Sequence, residues 1–328
     1  MKKTRFAVVG TNFISDNFVD AANASGVAEI SAVFSRKFDT GRHFAEKHGI
    51  NKVYTDYGEM LSDGNIDAIY VASPTFCHYT HSLSAIRAGK HILCEKMICT
   101  STEELEELRG EAVRHGVTLL EAMRPDFDPA YDLLRENLTK IGKIRRATLE
   151  FCQYSSRYDR FLAGEVLNAF NPKMKNSALA DIGIYPLHLA HVIFGVPSEI
   201  HASSVFLRNG FEGAGNITLE YDGALVSIVY SKISDSVNSS VIEGERGSIL
   251  IDKISAPRRI TLCPRCEPQK VVWEDSVPNN MLFEVIAFAS MIEGTASPEP
   301  YLDISAMTLR TVEEAYRQTG ADEKMKAE

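Results

Sequence analysis

The chain has 328 residues, 45% of them hydrophobic and 24% charged, with a formal net charge of −9. That composition is typical of a soluble globular protein, and the length exceeds what one average core holds, so two domains are expected. The negative balance argues against a nucleic-acid or anionic-membrane surface, and no apolar run approaches membrane-spanning length. The start Met-Lys-Lys-Thr-Arg-Phe lacks the apolar core and cleavage site of a signal peptide.

Arg5-Phe-Ala-Val-Val-Gly10 is a short apolar run closed by glycine, which predicts a buried parallel strand entering a tight turn. Gly10-Thr11-Asn12-Phe13-Ile14-Ser15 leads into a helix, and a second β-branched strand follows at 29–35. Strand, turn, helix and strand are therefore in the order that a dinucleotide fold requires. The glycine fingerprint is degenerate, with Asn12 in the second glycine position and Ser15 in the third. Asn is the non-glycine residue best suited to a left-handed backbone, and Ser is small enough for close helix–strand packing. The loop reads as either a phosphate cradle or an ordinary βα turn, and the order of elements around it favours the cradle. The second strand ends in Ser35-Arg36-Lys37, with no acid for a ribose 2′-hydroxyl. A hydroxyl and two cations suit a 2′-phosphate, so the preferred cofactor is NADP(H), with NAD the alternative.

A helix is predicted over 39–48. A strand follows at 66–72 and runs into Ser73-Pro74-Thr75, with His78 just behind. A helix at 79–88 is closed by Gly89, and a strand at 90–94 ends in Glu95-Lys96. The helix at 102–115 is capped by Ser101 or Thr102, and a strand follows at 117–121. These elements define a doubly wound parallel sheet in a dinucleotide-binding domain, residues 1–122. Beyond Pro125 the pattern changes. A helix at 130–138 precedes an alternating strand at 144–154, a polar loop, and an apolar helix at 181–194 stopped by Gly195 and Pro197. Short alternating strands fill 200–273, and helices at 281–293 and 303–317 close the chain. Residues 123–328 therefore read as an α+β domain with an open, mostly antiparallel sheet. One face of that sheet is covered by helices and the other meets water or a partner. A homo-oligomer, a dimer through that face, is expected.

The six cysteines are scattered except in Cys263-Pro-Arg-Cys266. This is half a zinc site with no answering pair, so it reads as a hairpin tip with two free thiols, and no metal is expected. Reduced cysteines fit a cytoplasmic protein.

The chemistry lies elsewhere. Lys96 stands at the carboxyl end of a sheet strand, where ligands of open α/β sheets bind. Glu95 beside it pairs with the lysine, positions a cofactor ribose, or is a structural ion pair. Asp181, Tyr185 and His188 are spaced i, i+4 and i+7, one stripe of an otherwise apolar helix. A cationic amine, a phenol, a carboxylate and an imidazole are the parts of a proton-transfer site, and carbonyl/alcohol redox chemistry needs one beside its hydride-exchanging cofactor. His188 is the weakest member; it and His191 read equally as packed core histidines. Arg124, Arg157 and Tyr158 follow the crossover between domains. Arg157 reads as a substrate-holding side chain or part of a solvated loop.

Taken in order, the degenerate glycine start, Ser35-Arg36, Ser73-Pro74-Thr75, Glu95-Lys96, Glu121-Ala122, Asp181-Ile-Gly-Ile-Tyr185 and Ile242-Glu-Gly-Glu-Arg-Gly-Ser-Ile resemble the Gfo/Idh/MocA oxidoreductases over nearly the whole chain. The resemblance implies an N-terminal Rossmann domain, a C-terminal α/β domain with an open sheet, and a nicotinamide cofactor between them. It implies that Ser73, Pro74, Thr75 and His78 line the cofactor, along with Gly10 to Ile14, Ser35 to Lys37, Glu95, Lys96 and Arg124. Arg157 and Tyr158, near where a cleft would form, are the expected substrate-binding residues, Arg157 holding a hydroxylated substrate or the carboxamide region unless its loop is merely solvated. Tyr185 replaces the histidine common at that position, as in the branch of dimeric dihydrodiol dehydrogenase, NADP-dependent xylose dehydrogenase and glucose-fructose oxidoreductase. Met97 replaces the proline that normally follows the family's lysine. The implied activity is hydride transfer between a nicotinamide and a sugar, polyol or related hydroxyl or carbonyl compound. Tyr185 is the proton carrier, Lys96 tunes it or acts directly, and Asp181 orients the substrate hydroxyl or Lys96. The competing reading is a non-catalytic, nucleotide-sensing binding protein on the same scaffold, suggested by Met97 and the altered glycine loop.

Overall fold

The computed structural model describes residues 3–274 and 277–326. The chain divides into two compact units, one made of Met1–Phe127 with Pro278–Asp303, the other of Asp128–Val277 with Ile304–Glu328.

The first unit alternates β1 (Thr4–Val9), α1 (Phe13–Ser25), β2 (Ala28–Phe34), α2 (Phe38–His48), β3 (Lys52–Tyr54), α3 (Tyr57–Leu61), β4 (Ala68–Val71), α4 (His78–Arg87), β5 (His91–Glu95), α5 (Thr102–His115) and β6 (Leu119–Ala122). The six strands are all parallel in the order β3-β2-β1-β4-β5-β6. Every residue of β4 and β6 is buried, as continuous apolar runs require when both faces of a sheet are covered. The short β3 carries no clear sequence signal. Ser101 proves to be the cap of α5, its Oγ accepting from Glu104 N at 3.2 Å.

The second unit contains α6 (Pro129–Leu138), β7 (Ile144–Cys152), α7 (Tyr158–Leu162), α8 (Ile184–Phe194), seven strands and two closing helices. The strands are β8 (Glu199–Phe206), β9 (Glu212–Tyr221), β10 (Ala224–Ser231), β11 (Ser240–Gly244), β12 (Gly247–Ile251), β13 (Arg259–Pro264) and β14 (Lys270–Glu274). With β7 they form one sheet in the order β14-β13-β12-β11-β7-β10-β9-β8, antiparallel except for the β7–β10 pair. Burial alternates strictly along β8. Outward positions of the central strands include Thr148, Ser227 and Val229, so the open face is mixed rather than strongly apolar.

α9 (Met281–Ile292) is the main departure from the sequence reading. It packs in the first unit, not the second. Its Met281, Val285, Phe288 and Met291 join Phe6, Phe18 and Tyr70 in one core, because the apolar stripe of a helix is buried wherever a complementary surface exists. α10 (Glu299–Thr319) starts earlier than its periodicity predicts, and α11 (Ala321–Lys326) follows it. The stretch Pro172–Phe194 passes a test of length and composition for a membrane span, but 72% of its apolar window is buried in the protein, as in a core helix.

Candidate active site

Gly10 makes the β1–α1 turn possible. Its φ is +111°, and a Cβ there would lie 2.5 Å from Ala72 O, so only glycine fits. Asn12 does not take the left-handed backbone that its position suggested, having φ −93° and ψ 178°. Its amide has a better use. Oδ1 accepts from Ile14 N at 3.0 Å and Ser15 N at 3.2 Å, capping α1, while Nδ2 donates to Ala72 O at 2.9 Å. Ser15 is fully buried, as the third fingerprint position requires. Thr11 and Ile14 are half-buried, whereas Asn12 and Phe13 are exposed.

Ser35 Oγ donates to Lys37 O at 3.0 Å and shapes the turn after β2, leaving Arg36 and Lys37 exposed. Burial raises the Cys77 pKa, and the charge of Arg36 opposes that shift. After β4, Ser73 Oγ meets His81 Nδ1 at 3.0 Å, and burial pushes His81 down to about 4. Pro74 is exposed and Thr75 half-buried. His78 is a brace rather than a lining residue. It is buried with Nε2 2.7 Å from Ser73 O and Nδ1 2.7 Å from Met97 O, tying the end of β4 to the end of β5. Burial, aided by Lys96, lowers its pKa, while the two carbonyl contacts oppose that shift.

Lys96 follows β5 directly and is half-buried; the Lys96–Met97 peptide is cis. Glu121 accepts from Ile98 N at 2.8 Å and anchors the turn behind the lysine. Glu95 is buried beneath, accepting from Tyr70 Oη at 2.5 Å, with Tyr70 stacked on Phe18 at 3.6 Å. Burial raises the Glu95 pKa, while Lys96, Tyr70 and Arg124 oppose that shift. Glu284 of α9 also belongs here: it is fully buried, and the charges of Glu95 and Arg124 both act on it. The signal for it was a lone acid in the apolar run Met281–Ile292.

In the second unit, Asp181 lies on a π-helical turn, Leu179–Gly183, that leads into α8. The stripe therefore starts in a widened turn rather than in regular α-helix. Pro186 has no N–H to return to Ile182, and a widened turn upstream is one way a helix takes in a proline. Gly183 permits the turn to pack, since a Cβ there would lie 2.7 Å from Tyr230 Cγ. Tyr185 is largely buried, its ring 5.9 Å from Phe151. His188 is 1% exposed, with Nδ1 3.5 Å from Thr308 Oγ1, and His191 sits between Gly195 O and Thr311 Oγ1, so both are packed within the unit. Arg157 is exposed at the start of α7. Tyr158 joins an aromatic cluster with Phe161, Phe170 and Phe211. Sequence reasoning missed Lys232, a buried lysine whose Nζ lies 2.7 Å from Asp181 Oδ2. Cys263 and Cys266 are free, on β13 and in the turn beyond it.

The first unit fits a dinucleotide by two observations: its strand order reverses between β1 and β4, and the Gly10 turn admits no side chain. The fold and site thus define a nicotinamide-dependent oxidoreductase. Residues 4–123 match the oxidoreductase family with an NAD-binding Rossmann fold, and residues 133–250 match the GFO/IDH/MocA C-terminal domain. The chain belongs to the Gfo/Idh/MocA oxidoreductase family. It is 39% identical over 319 residues to the NADP(+)-dependent scyllo-inositol 2-dehydrogenase IolU of Bacillus subtilis, covering 96% of this chain and 97% of that one. It is 29% identical over 265 residues to the trans-1,2-dihydrobenzene-1,2-diol dehydrogenase of Mus musculus, covering 79% and 77%. Among solved structures, the 3-ketoreductase KijD10 of Actinomadura kijaniata, in complex with NADP and TDP-benzene, shares the fold. Its TM-score is 0.87 at 22% identity, covering 97% and 98% of the two chains.

Proposed function

We propose that this protein is an NADP(H)-dependent dehydrogenase or reductase acting on a hydroxyl of a sugar, a polyol such as an inositol, or a related diol or carbonyl compound. The observation that carries the reading is Lys96 at the carboxyl end of β5, in a sheet of dinucleotide-binding order. The relation to an inositol dehydrogenase and a diol dehydrogenase supports the substrate class. Gly10 to Ile14 and the first turn of α1 would hold the pyrophosphate, Arg36 and Lys37 the 2′-phosphate, and Ser73 to Thr75 and Glu95 the inner end of the cofactor. When bound, the nicotinamide supplies the hydride exchange. Tyr185 carries the substrate proton, Lys96 keeps that proton mobile, and Asp181 accepts a hydrogen bond from a substrate hydroxyl. Arg157 and Tyr158 border the substrate, whereas His188 has a packing role. A cytoplasmic setting agrees with six unpaired thiols.

The test is a screen of scyllo-inositol, other inositols, aldoses and trans-diols with NADP⁺ and NAD⁺, read at the nicotinamide absorbance. Lys96→Met and Tyr185→Phe should each cost ~10²–10⁴ in turnover. The double variant should be little worse than either, since groups acting as a unit are not additive. Near-normal turnover in Tyr185→Phe would move the proton carrier elsewhere.

A further inference from the structure

The backbone of Lys232 is fixed at the end of β10, its N donating to Gly213 O at 2.9 Å and its O accepting from Ser155 N at 2.9 Å. From there the side chain runs inward and is 5% exposed. A lysine is rarely buried this deeply unless its ammonium is paired and hydrogen-bonded. Nζ donates to Ala169 O at 3.0 Å and meets Asp181 Oδ2 at 2.7 Å. It also lies 5.2 Å from the ring centroid of Phe170 and 5.4 Å from that of Phe211, within cation–π range. The Asp181 side chain, in contrast, is 38% exposed. One carboxylate edge is therefore anchored on a buried cation, while the group as a whole reaches the surface of its unit. The loop before the π-helical turn is held by the same ammonium through Ala169.

We propose that Lys232 is the positioning residue for Asp181: the buried ammonium holds the carboxylate ionised and in one orientation, so that it can accept a hydrogen bond from a substrate hydroxyl. This rests on the reading of Asp181 as a substrate-contacting group. Glu212 and Arg208, in the same unit, have partners of their own. Glu212 accepts from Leu179 N at 3.1 Å, Ser204 Oγ at 2.5 Å and Tyr230 Oη at 2.8 Å. Arg208 lies over the Phe161 ring at 4.1 Å and donates to Phe161 O. Tyr185 follows one turn later on α8. Lys232 thus faces Asp181 as a buried cation.

The test compares Lys232→Gln, Lys232→Met and Asp181→Asn, assayed with scyllo-inositol and NADP⁺ and, independently of any substrate, by thermal melting. Lys232→Gln keeps an N–H donor while removing the charge, on a side chain one bond shorter. It should lower kcat/KM by about 10- to 100-fold, since a charge-assisted hydrogen bond is lost. It should also move the acid limb of the kcat/KM–pH profile toward neutral pH, because a carboxylate without its cation holds its proton to higher pH. NADP(H) affinity should be unchanged. Asp181→Asn should lower the melting temperature because it leaves the buried ammonium without its counter-charge, and adding Lys232→Met should recover part of that loss by removing the uncompensated charge. A Lys232→Gln pH profile superposed on wild type, beside an inactive Asp181→Asn, overturns the role of Lys232 alone. Near-normal turnover in Asp181→Asn overturns the reading of Asp181 itself. If the lysine variants do not fold, strictly additive melting losses of partial substitutions at the two positions overturn the pairing, and a recovered double variant upholds it.

Discussion

Replacing Glu284 with glutamine should stabilise this protein, and the gain should grow with pH. The side chain is 0% exposed, and neither carboxyl oxygen has a hydrogen-bond partner among the described residues. Burial is the largest influence and Glu95 adds to it, so the folded-state pKa stands well above the ordinary 4.5, although Arg124 pulls the other way. Below the ordinary value both folded and unfolded chains hold the proton, and the group makes no pH-dependent difference. Above it the unfolded chain releases the proton while the folded one keeps it, so stability falls as pH rises, until the folded-state pKa is passed. The slope is about 1.4 kcal/mol per pH unit for one group. Glutamine keeps the shape and cannot ionise, so the variant escapes that decline. At roughly 2–4 °C per kcal/mol, two pH units inside the window correspond to a relative gain on the order of 5–10 °C. Glu284→Met, which also removes the unsatisfied polar atoms, should add about 1–3 kcal/mol at every pH. The assay is thermal melting of wild type and both variants in steps from pH 5 to pH 8, taking the difference at each pH so that shared titrations cancel. A Gln-minus-wild-type difference that is flat with pH, or that grows as pH falls, would refute the reasoning.

Arg36→Ala should weaken NADP(H) binding much more than NAD(H) binding, measured by fluorescence titration; equal losses would remove the 2′-phosphate assignment. Gly10→Ala should cost at least about tenfold in cofactor affinity, because the added methyl meets Ala72 O at 2.5 Å in a backbone of φ +111°. An unchanged dissociation constant would mean that the turn relaxes freely. The protein should sediment as a homodimer at micromolar concentration through the open face of the β7–β14 sheet, and a monomer in analytical ultracentrifugation would count against that interface.

Much of the first unit was legible because its signals are local. Parallel strands buried on both faces are apolar runs, their carboxyl ends are marked where the runs stop, and so Gly10, Ser35-Arg36, Ser73 and Glu95-Lys96 could be placed by reading forward. The alternation of the second sheet, its open face and the free thiols of Cys263 and Cys266 came from the same kind of pattern. Tertiary structure decided the rest. Asn12 occupies a glycine position, yet its side chain could compete for the first N–H groups of α1, and that competition set its backbone. The helix predicted from Asp181 begins in a π-helical turn, because Pro186 downstream and Tyr230 against Gly183 act on it together. Glu284 stood out as one acid in an apolar helix, but nothing local showed that α9 returns to the first unit and carries that acid to Glu95. The pairing of Asp181 with Lys232 was least visible. It depends on which strand ends beneath which turn, and contacts between distant segments leave no period in any window of sequence, whereas helices and strands are written in the spacing of their own residues.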